Sequence, residues 1–316
     1  MVTRSLYLDW LSRVVRPTRD DGDRKTTAGG DLVLGYATGY GVEHVEAFVR
    51  SLRAFYDGPA ALVVDPVPTI LAFLAEQRIE AIFPHAAGGW TPQPVVRRFA
   101  AYADILAGRP GLGAVFLTDV RDVVFQASPF QTPVSRLEVF VESETVAMVD
   151  HAFQIKHLRA LVGRRLAQSL QDRRCICAGT IVGPAVDVLR LCRLILWLGA
   201  IPRSAIGGGF GVDQASLAVA VGYGLIEAQV EDNYRRVATL GHQLVGIRVE
   251  NGRIVNADGT VSPVVHQYDR HPELMALIRS RWSHETPDRV KTGEQGVRRA
   301  WSKLVHALAR RTPEPR

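Results

Sequence analysis

From Asp31 to Val120 the chain alternates short apolar runs with amphipathic stretches, and this alternation limits the fold more than any other feature. "DLVLGYA", "AALVVD", "EAIFPH" and "GAVFLTDV" each have the length and apolar character of a buried strand. Between them, "GVEHVEAFVRSLRAFY" places Val45, Phe48, Val49, Leu52 and Phe55 on one side of a helix. "PTILAFLAEQRI" and "QPVVRRFAAYADILAG" also read as helices. Strands that alternate with helices form a parallel sheet, because each crossover helix must cover a sheet face. The expected fold class is therefore α/β, one Rossmann-like domain with a mostly parallel central sheet and helices on both faces.

The second half is less regular, and a mixed architecture is expected there. "ETVAMVD" and "CICAGTIVG" read as strands, "VDVLRLCRLILWL" and "VDQASLAVAVGY" as helices. "LVGIRVENGRIVN" is a hairpin turned by Asn251-Gly252. "SPVVHQYD" is a further strand-like run, and "PELMALIRSRW" a helix. With 47% hydrophobic residues among 316, the chain can bury one large core. The domain is expected over residues 31–283. Residues 1–30 read as a short amphipathic helix and a polar loop, and 284–316 as a basic, helical tail. The tail's helix is expected at 296–310, with Trp301, Leu304, Val305 and Leu308 on one face.

No run of about 18 apolar residues exists, so no membrane span is expected. The first 25 residues lack an apolar core followed by a small-residue cleavage site, so no secretion signal is expected. Cys175, Cys177 and Cys192 are too few for a disulfide framework, which points to the cytoplasm. The formal charge is +6, almost all of it from arginine; lysine occurs only as Lys25, Lys156, Lys291 and Lys303. Arginine suits phosphate oxygens. No aromatic-interleaved basic stretch signals nucleic acid. The basic tail suggests peripheral contact with the inner face of an anionic membrane, or packing on the body.

The strand "GAVFLTD" ends in Asp119, and Asp122 follows three residues later. Ligands of such sheets sit beyond the carboxyl ends of the strands, where the loop after the first strand, Asp65, His85 and Asp119 also fall. Two close carboxylates repel unless a cation lies between them, and Mn²⁺ or Mg²⁺ takes oxygen ligands and bridges phosphates. By spacing alone, the pair is equally well a turn cap and an arginine partner. "IGGGFGVD" is glycine-rich but no G-K-[ST] follows, so it is not a phosphate-cradling loop of that type.

In context, "TDVRDVVFQ" resembles the metal site of GT-A glycosyltransferases. It is nearest to the glycosyltransferase domain of procollagen lysine hydroxylases and to glycogenin-like families. The resemblance covers roughly residues 31–280 and implies a metal held by Asp119, Asp122 and a distant C-terminal histidine. His266 in "VVHQYDRHPEL" matches better than His271, which precedes Pro272. "CAGTIVG" resembles the family's "NSG" or "NAG" strand, so Cys177, Ala178 and Gly179 are expected at the donor sugar, with Cys177 replacing the usual asparagine. "GVDQASL" resembles the family's "DQ" segment. Asp213 is implied as the catalytic or sugar-holding carboxylate and Gln214 as a sugar contact, although Asp213 also suits a helix cap. Asp150, ending "TVAMVD", is the second catalytic candidate. Thr38 and Tyr40 are placed to meet base or ribose, Asp65 to accept from uracil or ribose, and Arg97 or Arg98 to face the diphosphate or sugar. The implied function is metal-dependent transfer of a sugar from a nucleotide-diphosphate sugar, most simply UDP-linked, to an unknown hydroxyl acceptor. The alternatives are a non-catalytic nucleotide- or sugar-binding module, or a nucleotidyltransferase. The latter usually has a cation in the loop after the first strand, and "ATGYGVEH" has none.

Overall fold

The computed structural model describes residues 29–84, 94–199, 211–241, 244 and 246–283. The expected N-terminal helix, His85, most of "IGGGFGVD" and the basic tail lie outside the described residues.

The first three strands are β1 (Leu32–Tyr36), β2 (Ala60–Val63) and β3 (Glu80–Ile82). They are joined through α1 (Val42–Phe55) and α2 (Pro68–Glu76). Helix α3 (Pro94–Ala107) leads to β4 (Ala114–Thr118). In the second half come β5 (Val123–Phe125), β6 (Glu138–Val141), α4 (Ala152–Gln168), β7 (Ile176–Pro184), α5 (Ala185–Gly199) and α6 (Val212–Gly222). Short strands β8 (Gln229–Glu231), β9 (Val237–Thr239), β10 (Arg248–Glu250), β11 (Arg253–Val255) and β12 (Val264–His266) follow, and then α7 (Pro272–Trp282).

The central sheet has seven strands in the order β3-β2-β1-β4-β7-β6-β8. β7 alone runs against its neighbours β4 and β6, and the other pairings are parallel. The expected α/β class and mostly parallel sheet are therefore present. Successive strand residues point to opposite faces. Leu32, Leu34, Val115 and Leu117 pack with Phe99, Leu158, Leu191 and Val219 of the helices on one face. Val33 and Phe116 pack with Phe48, Leu52 and Leu74 of α1 and α2 on the other.

A second sheet, β5-β12-β9, packs against α7 through Val124, Val265, Leu274 and Ile278. β10 and β11 form the expected hairpin, with both Asn251 and Gly252 at positive φ as a tight primed turn requires.

Two readings of the second half need correction. "ETVAMVD" is not a strand: a single bridge joins Ala147 to Arg174, and Met148–Asp150 is one turn of 3₁₀ helix. Asp150 is exposed there. The strand at this place in the sheet is β6, "EVFV", and α4 follows it; neither was expected. Among the described residues no helix is long and apolar enough to cross a membrane.

Candidate functional site

β1 lies between β2 and β4, so the chain order reverses at the β1/β4 boundary. At such a switch point the loops leaving the two strands diverge and open a crevice at their carboxyl ends. The loop Ala37–Tyr40 leaves β1 on one side, and Asp119 leaves β4 on the other.

The turn Asp119–Asp122 carries the chain from the large sheet into the small one, where β5 begins at Val123. β12 pairs antiparallel with β5, and its register sets His266 opposite Val123, the residue after Asp122. The strand pairing thus brings a residue 144 positions later in sequence to the carboxylates. One ligand atom from each of Asp119, Asp122 and His266 lies within 4.8 Å of the others. His266 Nε2 is 3.6 Å from Asp119 Oδ2 and 3.9 Å from Asp122 Oδ2. His266 is 1% exposed and its Nε2 has no hydrogen-bond partner among the described residues. A buried polar atom is normally satisfied. Here it faces two carboxylate oxygens at distances too long for hydrogen bonds but open to an ion. A Nε2/Oδ/Oδ set is a mixed nitrogen and oxygen donor set of the kind that holds first-row divalent metals.

The neighbours keep that arrangement open. Gly179 of β7 lies directly beneath it: a Cβ there would stand 2.5 Å from His266 Cε1 and 2.6 Å from Asp119 Oδ2. The Gly179 carbonyl accepts the Asp119 N–H at 2.6 Å. Cys177 Sγ lies 3.9 Å from the other ring nitrogen, His266 Nδ1, and accepts the Gly179 N–H at 3.4 Å. Gln267 takes a left-handed backbone, φ 64°, and donates its N–H to the Asp122 carbonyl at 2.8 Å, locking the histidine end of β12 to the turn.

Arg98 lies at the centre of the cluster's charges. Its side chain is 14% exposed, and it donates to Asp119, to Asp213 at 2.6 Å and to the Ala178 carbonyl at 3.1 Å. A buried guanidinium must be paired, and Arg98 braces two carboxylates. Arg97 is half-buried and takes no part in this network. The cation at the mouth is Arg121, inside the D-x-x-D turn, 53% exposed and 3.2 Å from Asp269. Tyr40 borders the same mouth: burial raises its phenol, with Arg121, Asp119 and Asp122 among the charges it feels. Thr38 is half-buried on the loop, and Asp65 accepts the Gly39 N–H at 2.6 Å, so it shapes that loop.

Asp213 sits in the first turn of α6, whose N-cap is Gly211, so it is not the cap residue. It is 6% exposed, and burial raises its carboxyl against the pull of Arg98. Gln214 donates to Glu142 at 2.7 Å. Glu142, just past β6, also accepts from Gln154 at 2.5 Å and Gln267 at 3.3 Å. Glu142, Arg121 and Gln267 were not singled out from sequence. The alternation in "LEVFVE" was the one available signal for Glu142. Asp150 makes no hydrogen bond to the cluster. His271 is engaged elsewhere, with Nε2 3.0 Å from the Gly241 carbonyl oxygen. No family model matches the chain, and neither does any curated protein.

The charges set a pH dependence. Burial works to raise the Asp119 carboxyl, but Arg98 and His266 outweigh it and hold it down at about 2. Burial raises Asp122, with Asp119 adding to the effect against His266. For His266, burial disfavours the cation, yet Cys177, Asp119 and Asp122 raise it well above its ordinary 6.5. A metal that binds His266 Nε2 must displace the proton that Asp119 and Asp122 favour there. Mn²⁺ affinity is expected to rise with pH until His266 deprotonates, falling about tenfold for each unit below that point. Calorimetry in buffers of different ionisation enthalpy should show proton release on metal binding. His266→Ala should abolish the release and His271→Ala should not. Equal proton release from wild type and His266→Ala would remove His266 from the ligand set.

Proposed function

We propose that the protein is a metal-dependent glycosyltransferase that uses a nucleotide-diphosphate sugar, most simply UDP-linked, and passes the sugar to a hydroxyl acceptor. The observation that carries this reading is the unpartnered His266 Nε2 facing Asp119 and Asp122 at the switch-point edge. Support also comes from the order of the resembling segments, "TDVRD", "CAGT", "VDQ" and "VVH", along the chain. When bound, Mn²⁺ or Mg²⁺ supplies Lewis-acid neutralisation of the leaving diphosphate. Arg121 adds a cation at the mouth. Tyr40, Thr38 and the loop held by Asp65 offer the surface for base and ribose. Gly179 leaves room for His266 and Asp119 to close on the backbone of β7.

Asp213 is the proposed base or sugar-hydroxyl holder. Its raised carboxyl brings it nearer the pH at which a base works, and Arg98 fixes its direction. Asp213→Asn is expected to lower turnover about a hundredfold or more while UDP affinity stays unchanged. Near-wild-type transfer by that variant would leave Asp213 without a catalytic role.

The whole reading is tested by a thermal-shift screen of nucleotide sugars with and without Mn²⁺. A stabilisation that needs both partners supports it. No nucleotide-dependent shift under any metal condition overturns it. Cys177 in place of an asparagine favours a second reading, a non-catalytic binding module of the same fold. Metal-dependent hydrolysis of the bound donor separates the two. The proposed compartment is the cytoplasm, which fits three cysteines that are all free and buried.

A further inference from the structure

Helix α4 contains no Asp or Glu. In its first segment Ile155, Leu158 and Leu161 face the core, and Lys156 and Arg159, three apart, face outward. At Gly163 the backbone leaves helical geometry, with φ 77°, and Arg164 and Arg165 beyond it are both exposed. Arg173 is exposed on the return to β7, where its carbonyl accepts the Met148 N–H and ties it to the 3₁₀ turn before α4. None of Lys156, Arg159, Arg164, Arg165 and Arg173 forms an ion pair among the described residues. Nearby, Arg174 is paired with Glu144 and Asp232. Asp150 and Asp172 are the exposed acids at the border. One apolar side chain, Val149, stands 42% exposed at the same end, next to Phe153, whose ring packs on that of His157 at 4.2 Å.

We propose that this face docks on an anionic phospholipid surface. Unpaired cations beside exposed apolar side chains are the pattern of an interfacial helix: the charges meet lipid phosphates while the apolar groups enter the headgroup boundary. Nucleic acid would use the cations but gives the exposed Val149 no role. The first turn of α4 borders the candidate site, since Gln154 donates to Glu142 at the carboxyl edge of β6. Docking here sets that edge beside the bilayer, in reach of a lipid-borne acceptor. The inference does not depend on which donor the site takes, and it concerns a different element from the basic tail.

The test is co-sedimentation of the full chain with vesicles of phosphatidylcholine, with and without phosphatidylglycerol. Wild type is expected to sediment only with the anionic vesicles, and high salt should release it. Each cation at such a surface is worth about a fivefold factor in partitioning. Lys156→Gln/Arg159→Gln should therefore weaken binding about 25-fold, and Lys156→Glu/Arg159→Glu further, with unchanged melting temperature. Arg298→Glu/Arg299→Glu in the tail should leave most binding in place. The proposal is overturned if wild type ignores anionic vesicles or if both Lys156/Arg159 variants bind as wild type. It is also overturned if wild type prefers single- or double-stranded nucleic acid to the vesicles.

Discussion

Mn²⁺-dependent binding of UDP is expected to vanish when either Asp119 or Asp122 is replaced by alanine, with the fold kept. Losing a partner that merely orients a metal ligand costs about 10–100-fold in metal affinity; losing one of three protein ligands, with its charge, should cost more. The two variants should differ in the metal-free state. Asp119 holds Arg98 on one side and faces His266 on the other, so Asp119→Ala leaves the guanidinium with Asp213 as its one carboxylate partner among the described residues, beside the Ala178 carbonyl. Asp122 is raised by burial, with His266 pulling against that and Asp119 adding to it, and no arginine or lysine pairs with it among the described residues. Asp122→Ala without metal should therefore lose less stability than Asp119→Ala, which gives up the Arg98 pair as well. Calorimetric titration with UDP and Mn²⁺ reads the first effect and thermal melts the second. Unchanged UDP affinity in both variants would end the metal assignment.

Gly179→Ala is the second large effect. The added methyl would lie 2.5 Å from His266 Cε1, 2.8 Å from its Nε2 and 2.6 Å from Asp119 Oδ2. The imidazole is buried and flanked by Cys177, and Asp119 is held by Arg98 and by its own N–H on Gly179, so neither can move aside freely. One methyl group should therefore push two ligand atoms apart. Overpacking of this kind costs about 1–3 kcal/mol of stability, which leaves the protein folded. Mn²⁺ binding should be lost almost as fully as in Asp119→Ala, although no ligand has been removed. Manganese paramagnetic resonance, which reports free ion directly, makes the comparison. Wild-type affinity in Gly179→Ala would mean that the ion does not sit between His266 and Asp119.

Much of the first half was legible because each element there follows from local periodicity. The apolar runs of β1, β2, β3 and β4 and the spaced apolar residues of α1 declare themselves without reference to distant residues. β6 and α4 were missed for identifiable reasons. "EVFV" is short and lies between polar segments, and α4 combines exposed Phe153 with a break at Gly163, which blurs its period. "ETVAMVD" looked like a strand because its alternation fits one, but its neighbours leave it a single bridge.

At the candidate site, the sequence by itself determined the end of an apolar strand at a carboxylate pair, a histidine at the end of a later strand-like run, and a glycine in "CAGT". Those are local properties: residue type, periodicity and turn signals. Only the tertiary structure decided how they meet. Antiparallel pairing of β12 with β5 sets His266 against the D-x-x-D turn, and β7 slides Gly179 beneath them. It also decided that Arg98 braces Asp119 and Asp213, that Arg121 stands at the mouth, and that Glu142 gathers three glutamines. The physical reason is that a side chain's partners depend on strand register and on which charges burial forces together. Both are set by contacts between residues far apart in the chain, and no local pattern records them.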